Sequence, residues 1–180
     1  MGRAVTPRGM SLHPVASTSP TVDIPPDPRH DPRSRLERRL NHLKEFAVDR
    51  HERLLVQSAR SRTPEVRAAL DLRASEWAAH CDELHGLLIE LRGAPEEGSG
   101  AGAAVPRTAL HEPPPSGASD AWLLDESVAE EDRAVQDYRE VLADASLPFA
   151  MRATLARQRR TAIDSALRFS TMRRRLTGAD

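Results

Sequence analysis

The stretch PEVRAALDLRASEWAAHCDELHGLLIELRG, residues 64–93, decides the fold. Leu70, Ala74, Trp77, Cys81, Leu84, Leu88 and Leu91 recur at alternating steps of four and three, which places them on one face of an α-helix. A seam sustained over that length belongs to a bundle of near-parallel or antiparallel helices. Thr63 is the expected N-cap, Pro64 pre-sets the first helical residue, and Gly93 is the natural stop.

The same reading extends in both directions. Leu36, Leu40, Leu43, Ala47 and Leu54 share a face across 33–60, which predicts a first helix. After the second helix, 64–92, the segment 93–119 is rich in Gly, Pro, Ser and Ala and reads as a linker. Ser119 can cap a third helix over 120–144, whose seam is Leu124, Val128, Glu131, Val135, Tyr138 and Leu142. Pro148 marks a fourth, over 148–177, with Leu155, Ala162, Ala166, Phe169 and Leu176 inward. Residues 1–31 carry several prolines among Ser, Thr and Arg without apolar periodicity, so a disordered tail is expected ahead of a bundle over 32–177.

The fold class is therefore all-α, an antiparallel four-helix bundle. The turns between the first and second and between the third and fourth helices are short, so each pair should be an antiparallel hairpin. A helix of about 28 residues is roughly 42 Å long, and a linker of about 27 residues can span it at roughly 3.3 Å each. The middle connection can thus cross the bundle and leave the second and third helices parallel; up-down-up-down remains the alternative. The third helix is acidic and the fourth basic, so each is expected to neutralise part of the other.

Composition agrees with helices. Hydrophobic residues make up 39% and aromatics only 3% of the chain, so the core must be built from Leu, Ala and Val rather than rings. Formal net charge is −1, and Lys44 is the only lysine, a bias expected of a GC-rich bacterial genome. One cysteine excludes an internal disulfide and a thiolate zinc cage and suits a reducing compartment. With no apolar signal-peptide core and no membrane-length apolar run, cytoplasm is the expected location.

LNHLKEFAVDRHERL (40–54), DELHGLLIELRG (82–93), EEDRAVQDYREVL (130–142) and LPFAMRATLARQ (147–158) together resemble an uncharacterised bacterial family of ferritin-like four-helix bundles, a domain of unknown function. The resemblance rests on helix order, the Glu131–Asp132 step before Ala134 and Tyr138, and the Leu147–Pro148 break. It implies a ferritin-like fold with a long crossover. Metal-bearing bundles of that type take one Glu from each of two helices and a Glu-x-x-His pair from each of the other two.

The candidate metal ligands are His51, Glu76, His80 and Glu131, which could hold iron or another divalent ion, mono- or dinuclear. Glu131 sits on a seam, and an ionised carboxylate there needs a partner, either a metal or an arginine. Arg50 and Arg159 are the expected arginines. Glu76 and His80 are four apart rather than three, and Asp82 with His85 have the right spacing on the wrong flank of the seam. The fourth helix has neither Glu nor His, so a complete di-iron set is missing. Cys81 reads as a small apolar seam residue, and His80 and His51 as boundary residues.

These features favour a non-catalytic structural or interaction module with a degenerate metal site and no cofactor. Metal binding through the four ligands is the alternative. Homodimer or protein contact is expected through Phe46, Val48 and Leu55. Nucleic-acid binding by the Arg-rich last helix ranks lower, because the acidic third helix and near-zero charge oppose it.

Overall fold

The computed structural model describes residues 31–93 and 117–178; the expected tail apart from Asp31 and most of the linker lie outside them. Among the described residues there are four helices and no strand: α1 Pro32–Arg60, α2 Pro64–Arg92, α3 Asp120–Leu142 and α4 Phe149–Thr177. No helix among them is long and apolar enough to cross a membrane.

Local chemistry sets each boundary. The Asp31 carboxylate accepts from the Arg33 and Ser34 N–H groups, and Pro32 opens α1. Pro64 opens α2 as expected, but Thr63 makes no side-chain cap bond. The turn into α2 is held instead by Asp120 at the start of α3, whose carboxylate accepts from Arg62 N–H at 3.0 Å and Thr63 N–H at 2.8 Å. Gly93 ends α2 at φ 81°, which only glycine adopts freely. Ser119 caps α3 by accepting from Trp122 N–H. α3 stops at Leu142 rather than 144, because Asp144 turns to accept from Ser146 N–H and Oγ in the turn before Pro148.

α1 packs most closely on α2, and α3 on α4; the α1–α3 and α2–α4 separations are wider. The direction of each helix follows from its cross-links. Arg39 meets Asp144, His42 meets Asp137 and Gln57 meets Glu126, so α1 and α3 are antiparallel. Arg33 bonds the Leu91 carbonyl and Arg92 bonds Glu37, so α1 and α2 are antiparallel as well. α2 and α3 therefore run in the same direction, with Asp120 tying their starting ends together.

The expected neutralisation between the acidic and basic helices is the exception rather than the rule. Arg173–Asp125 at 3.0 Å is an α3–α4 ion pair, but other α3 acids meet α1 (Arg53–Glu130, His42–Asp137) and the α4 arginines meet α2 (Arg157–Glu83, Arg168–Glu76). Leu and Ala fill the close hairpin interfaces, whereas long charged side chains bridge the wider gaps with their stems.

The core follows the expected seams with a small rotation. Leu36, Leu40, Leu43, Ala47 and Leu54 of α1 and Leu70, Ala74, Trp77, Leu84 and Leu88 of α2 are buried. Cys81, Val128, Val135 and Leu142 are only partly buried, and Leu176 is exposed, because the buried faces are centred one residue away. Phe46 is not a free flank residue: it packs edge-on against Trp77, with ring centroids 5.6 Å apart.

Candidate functional site

The chemistry-bearing residues gather in a buried layer midway along the bundle. Arg50 continues the α1 seam after Leu43 and Ala47; Arg73 continues the α2 seam after Val66 and Leu70; Glu131 lies on the inner face of α3. All three side chains have 0% relative exposure. Placing three charged groups in an interior is tolerable only if they satisfy one another.

Arg73 supplies most of that. Its Nε donates to Glu131 Oε1 at 3.0 Å and its Nη2 to Oε2 at 2.6 Å, the two-pronged geometry that a guanidinium offers a carboxylate. Trp77, one turn further along α2, donates its indole N–H to Oε1 at 3.0 Å. Arg50 Nη2 stands 3.7 Å from the same oxygen, a second cation with no hydrogen bond among the described residues, and burial pulls its pKa below the usual guanidinium value. Arg73 also donates to Glu76 at 3.0 Å and lies 4.4 Å above the Trp77 ring. The cation is thus held by two carboxylates and an aromatic face.

Trp77 organises the surroundings. Tyr138 stacks on it with an interplanar angle of 14°, His80 meets it edge-on at 5.3 Å, and Phe46 does so from α1. The wall of rings excludes water, which strengthens the charge interactions inside it. Burial raises the Tyr138 hydroxyl well above the usual phenol pKa, and burial with the Arg73 charge lowers His80 to about 4. Both are neutral near pH 7. Flanking this layer, Gln57 donates to Glu126 and accepts from Ser127, and Gln158 of α4 donates to Glu83 at 2.6 Å.

Of the expected ligands, Glu131 and Glu76 are brought together only through Arg73. His51 donates Nδ1–H to the Ala74 carbonyl at 2.9 Å. His80 is not a boundary residue: it is buried, and its Nδ1 makes no hydrogen bond among the described residues. Arg159, the other expected partner of Glu131, is half-buried and pairs with neither Glu131 nor Glu76. Among the described residues no group of three or more His, Cys, Asp and Glu is placed to hold a metal ion.

The residues present do not fit the iron pair of metal-bearing ferritin-like bundles. Both Glu131 oxygens are taken by donors, two guanidinium groups stand where a cation would have to sit, and α4 turns Gln158, Ala162 and Ser165 inward. Cys81 does not supply a nucleophile either; burial raises its pKa, so the thiol is protonated at neutral pH.

Arg73 is the residue that sequence reasoning missed. Val66, Leu70, Arg73, Trp77, His80, Leu84 and Leu87 also alternate steps of four and three, and all are buried. That second seam becomes visible once an arginine and a histidine are admitted to it. Compared with known proteins, the chain matches no family model and no curated protein.

Proposed function

We propose that this chain is a non-catalytic ferritin-like helical bundle, a structural or interaction module in which an arginine–carboxylate layer occupies the position where related architectures place metal. The ferritin-like reading is supported by the common direction of α2 and α3, the relation expected of a bundle with a crossover between its second and third helices. The observation that carries the non-catalytic reading is the Arg73 fork on Glu131, closed by Trp77 and backed by Arg50. A carboxylate so saturated with donors is a poor base, a poor nucleophile and a poor ligand. The arginines of α4 that meet Glu83, Glu76 and Asp125 are likewise engaged, which weakens a phosphate-binding role for that helix.

The test is direct. Purified full-length protein is incubated anaerobically with ferrous ion, freed of excess, analysed for iron, and exposed to oxygen. The expected result is no retained iron and no turnover of ferrous ion. Retention of about two irons per chain with catalytic oxidation would overturn the reading. The same elemental analysis with zinc and manganese covers a single-metal site on His51, Glu76, His80 and Glu131.

A further inference from the structure

The inner faces of all four helices are occupied, but α4 also carries an ordered outer face. Phe149, Ala153, Ala156, Arg160, Ile163 and Leu167 lie within about 60° of one line along the helix at 100° per residue, and Asp164 lies on the same ridge. All are exposed, Phe149 at 88% and Leu167 at 64%. Arg160 and Asp164 are one turn apart, yet among the described residues neither makes an ion pair or hydrogen bond. Their arginine neighbours Arg157 and Arg168, by contrast, are drawn to α2.

We propose that this ridge is a self-association surface, on which α4 of a second copy of this chain packs antiparallel about a two-fold axis near residue 162. The charge pattern argues for that occupant. With the axis there, Arg160 of each copy stands opposite Asp164 of the other, so one symmetric contact forms two ion pairs. Leu167 falls level with residue 157 of the second copy, against Ala156, a large side chain into the space left by a small one. The two Ile163 side chains meet beside the axis.

The exposed ridge of α1 lacks this complementarity. Val48 and Leu55 share it with Glu45 and Glu52, so self-pairing about its middle brings like charges together. This inference deepens the interaction-module reading and rests on it.

Opposite charges on one ridge allow a reciprocal test with full-length protein. Arg160→Asp leaves two carboxylates on the ridge, and Asp164→Arg leaves two cations. Sedimentation equilibrium over the micromolar range should show a dimer for the natural sequence. Each single variant, repelling itself at two points, should dissociate with a constant roughly 30-fold higher. Mixing the two variants should restore the dimer, because the carboxylates of one then face the cations of the other, and the double variant should dimerise by itself. Far-UV circular dichroism checks that each variant is folded, and Leu167→Asp, which removes the apolar contact, should abolish association whatever the charges.

A natural sequence that stays monomeric overturns the proposal, as do single variants that dimerise as well as it does. A mixture that fails to re-associate overturns the two-fold register. None of these results alters the iron experiment, so failure of the surface is distinguishable from failure of the non-catalytic reading.

Discussion

Replacing Glu131 with Gln keeps the size and shape of the side chain and removes its charge. Its carbonyl can still accept from Trp77, which now donates to Glu131 at 3.0 Å. The Arg73 guanidinium, fully buried, loses the fork of 3.0 and 2.6 Å and retains Glu76. Arg50, whose guanidinium makes no hydrogen bond among the described residues, loses the carboxylate 3.7 Å away and is left as a buried cation near Glu130 and Arg53. Removing one partner of a buried pair costs about 3–5 kcal/mol, because the remaining charge is uncompensated. With two cations affected, about 4 kcal/mol is expected, a large share of the 5–15 kcal/mol typical of domains. That corresponds to a melting temperature lower by roughly 10 °C.

The measurement is urea denaturation of the natural sequence, Glu131→Gln, Arg73→Met and the Arg73→Met/Glu131→Gln double variant, with m-values compared before midpoints are converted. The double variant should cost less than the two single losses added together, with a coupling of at least about 2 kcal/mol. Two observations would refute the reasoning: a Glu131→Gln loss below about 1 kcal/mol, or additive single and double variants. Either would mean that the carboxylate is solvated or paired elsewhere and that the layer does not depend on the Arg73 fork.

Two further expectations concern titration and capping. His80 is lowered to about 4 by burial and by Arg73, with Glu83 opposing and Arg157 assisting; the unfolded value is near 6.5. The unfolded chain therefore binds the extra proton first, so stability is full above pH 6.5 and falls by about 3 kcal/mol between pH 6.5 and 4 on account of this group. Urea midpoints at pH 7 and pH 4 should fall less for His80→Leu than for the natural sequence; parallel losses would contradict the assignment. For Asp120, burial raises the pKa, but the donors of Thr63 and Arg62 outweigh it and hold the group below the usual carboxylate range. Asp120→Ala, which removes both bonds to the α1–α2 turn, should cost about 1–2 kcal/mol by urea denaturation at pH 7; a change below about 0.5 kcal/mol would show that the turn is satisfied otherwise.

The punctuation of this chain was legible because it is chemically unambiguous. Pro64 with Gly93, Ser119 before α3 and Pro148 before α4 place helix ends within two residues of those observed. Glu131 also announced itself, since a carboxylate on an apolar seam must have a partner. Its partner was harder to read. Arg50, across the α1–α3 gap, was foreseen and is the weaker of the two contacts; Arg73 reaches in from α2, diagonally across the bundle, where reasoning from adjacent helices does not look. In a sequence with 26 basic residues an arginine at a seam step reads as an interruption, and burial depends on a counter-charge contributed by another helix. His80 was placed at the boundary for a related reason. The second α2 seam that includes Arg73 and His80 is equally periodic, and tertiary packing selects between the two.

The scarcity of aromatic residues sharpens what the layer is for. Only 3% of the chain is Phe, Trp or Tyr, yet Phe46, Trp77 and Tyr138 all converge on the Arg73–Glu131 pair. Leu and Ala, with Val66, Val141, Met151 and Phe169, fill the rest of the core, so half of the six rings are concentrated where charges must be shielded and the space between wider-set helices filled. A charge pair enclosed in this way links α2 to α3, the two helices that are not hairpin partners, at one register: a slip of one residue on either helix would turn Arg73 or Glu131 away from its partner and leave a charge unpaired in the core. Apolar residues would tolerate such a slip far better, since Leu packs against Leu in several registers. The layer therefore acts on specificity of assembly, and among the described residues it is joined to α4 by the Glu83 and Glu76 contacts at its edge. That arrangement fixes which face of α4 is turned outward, and with it the ridge carrying Arg160 and Asp164.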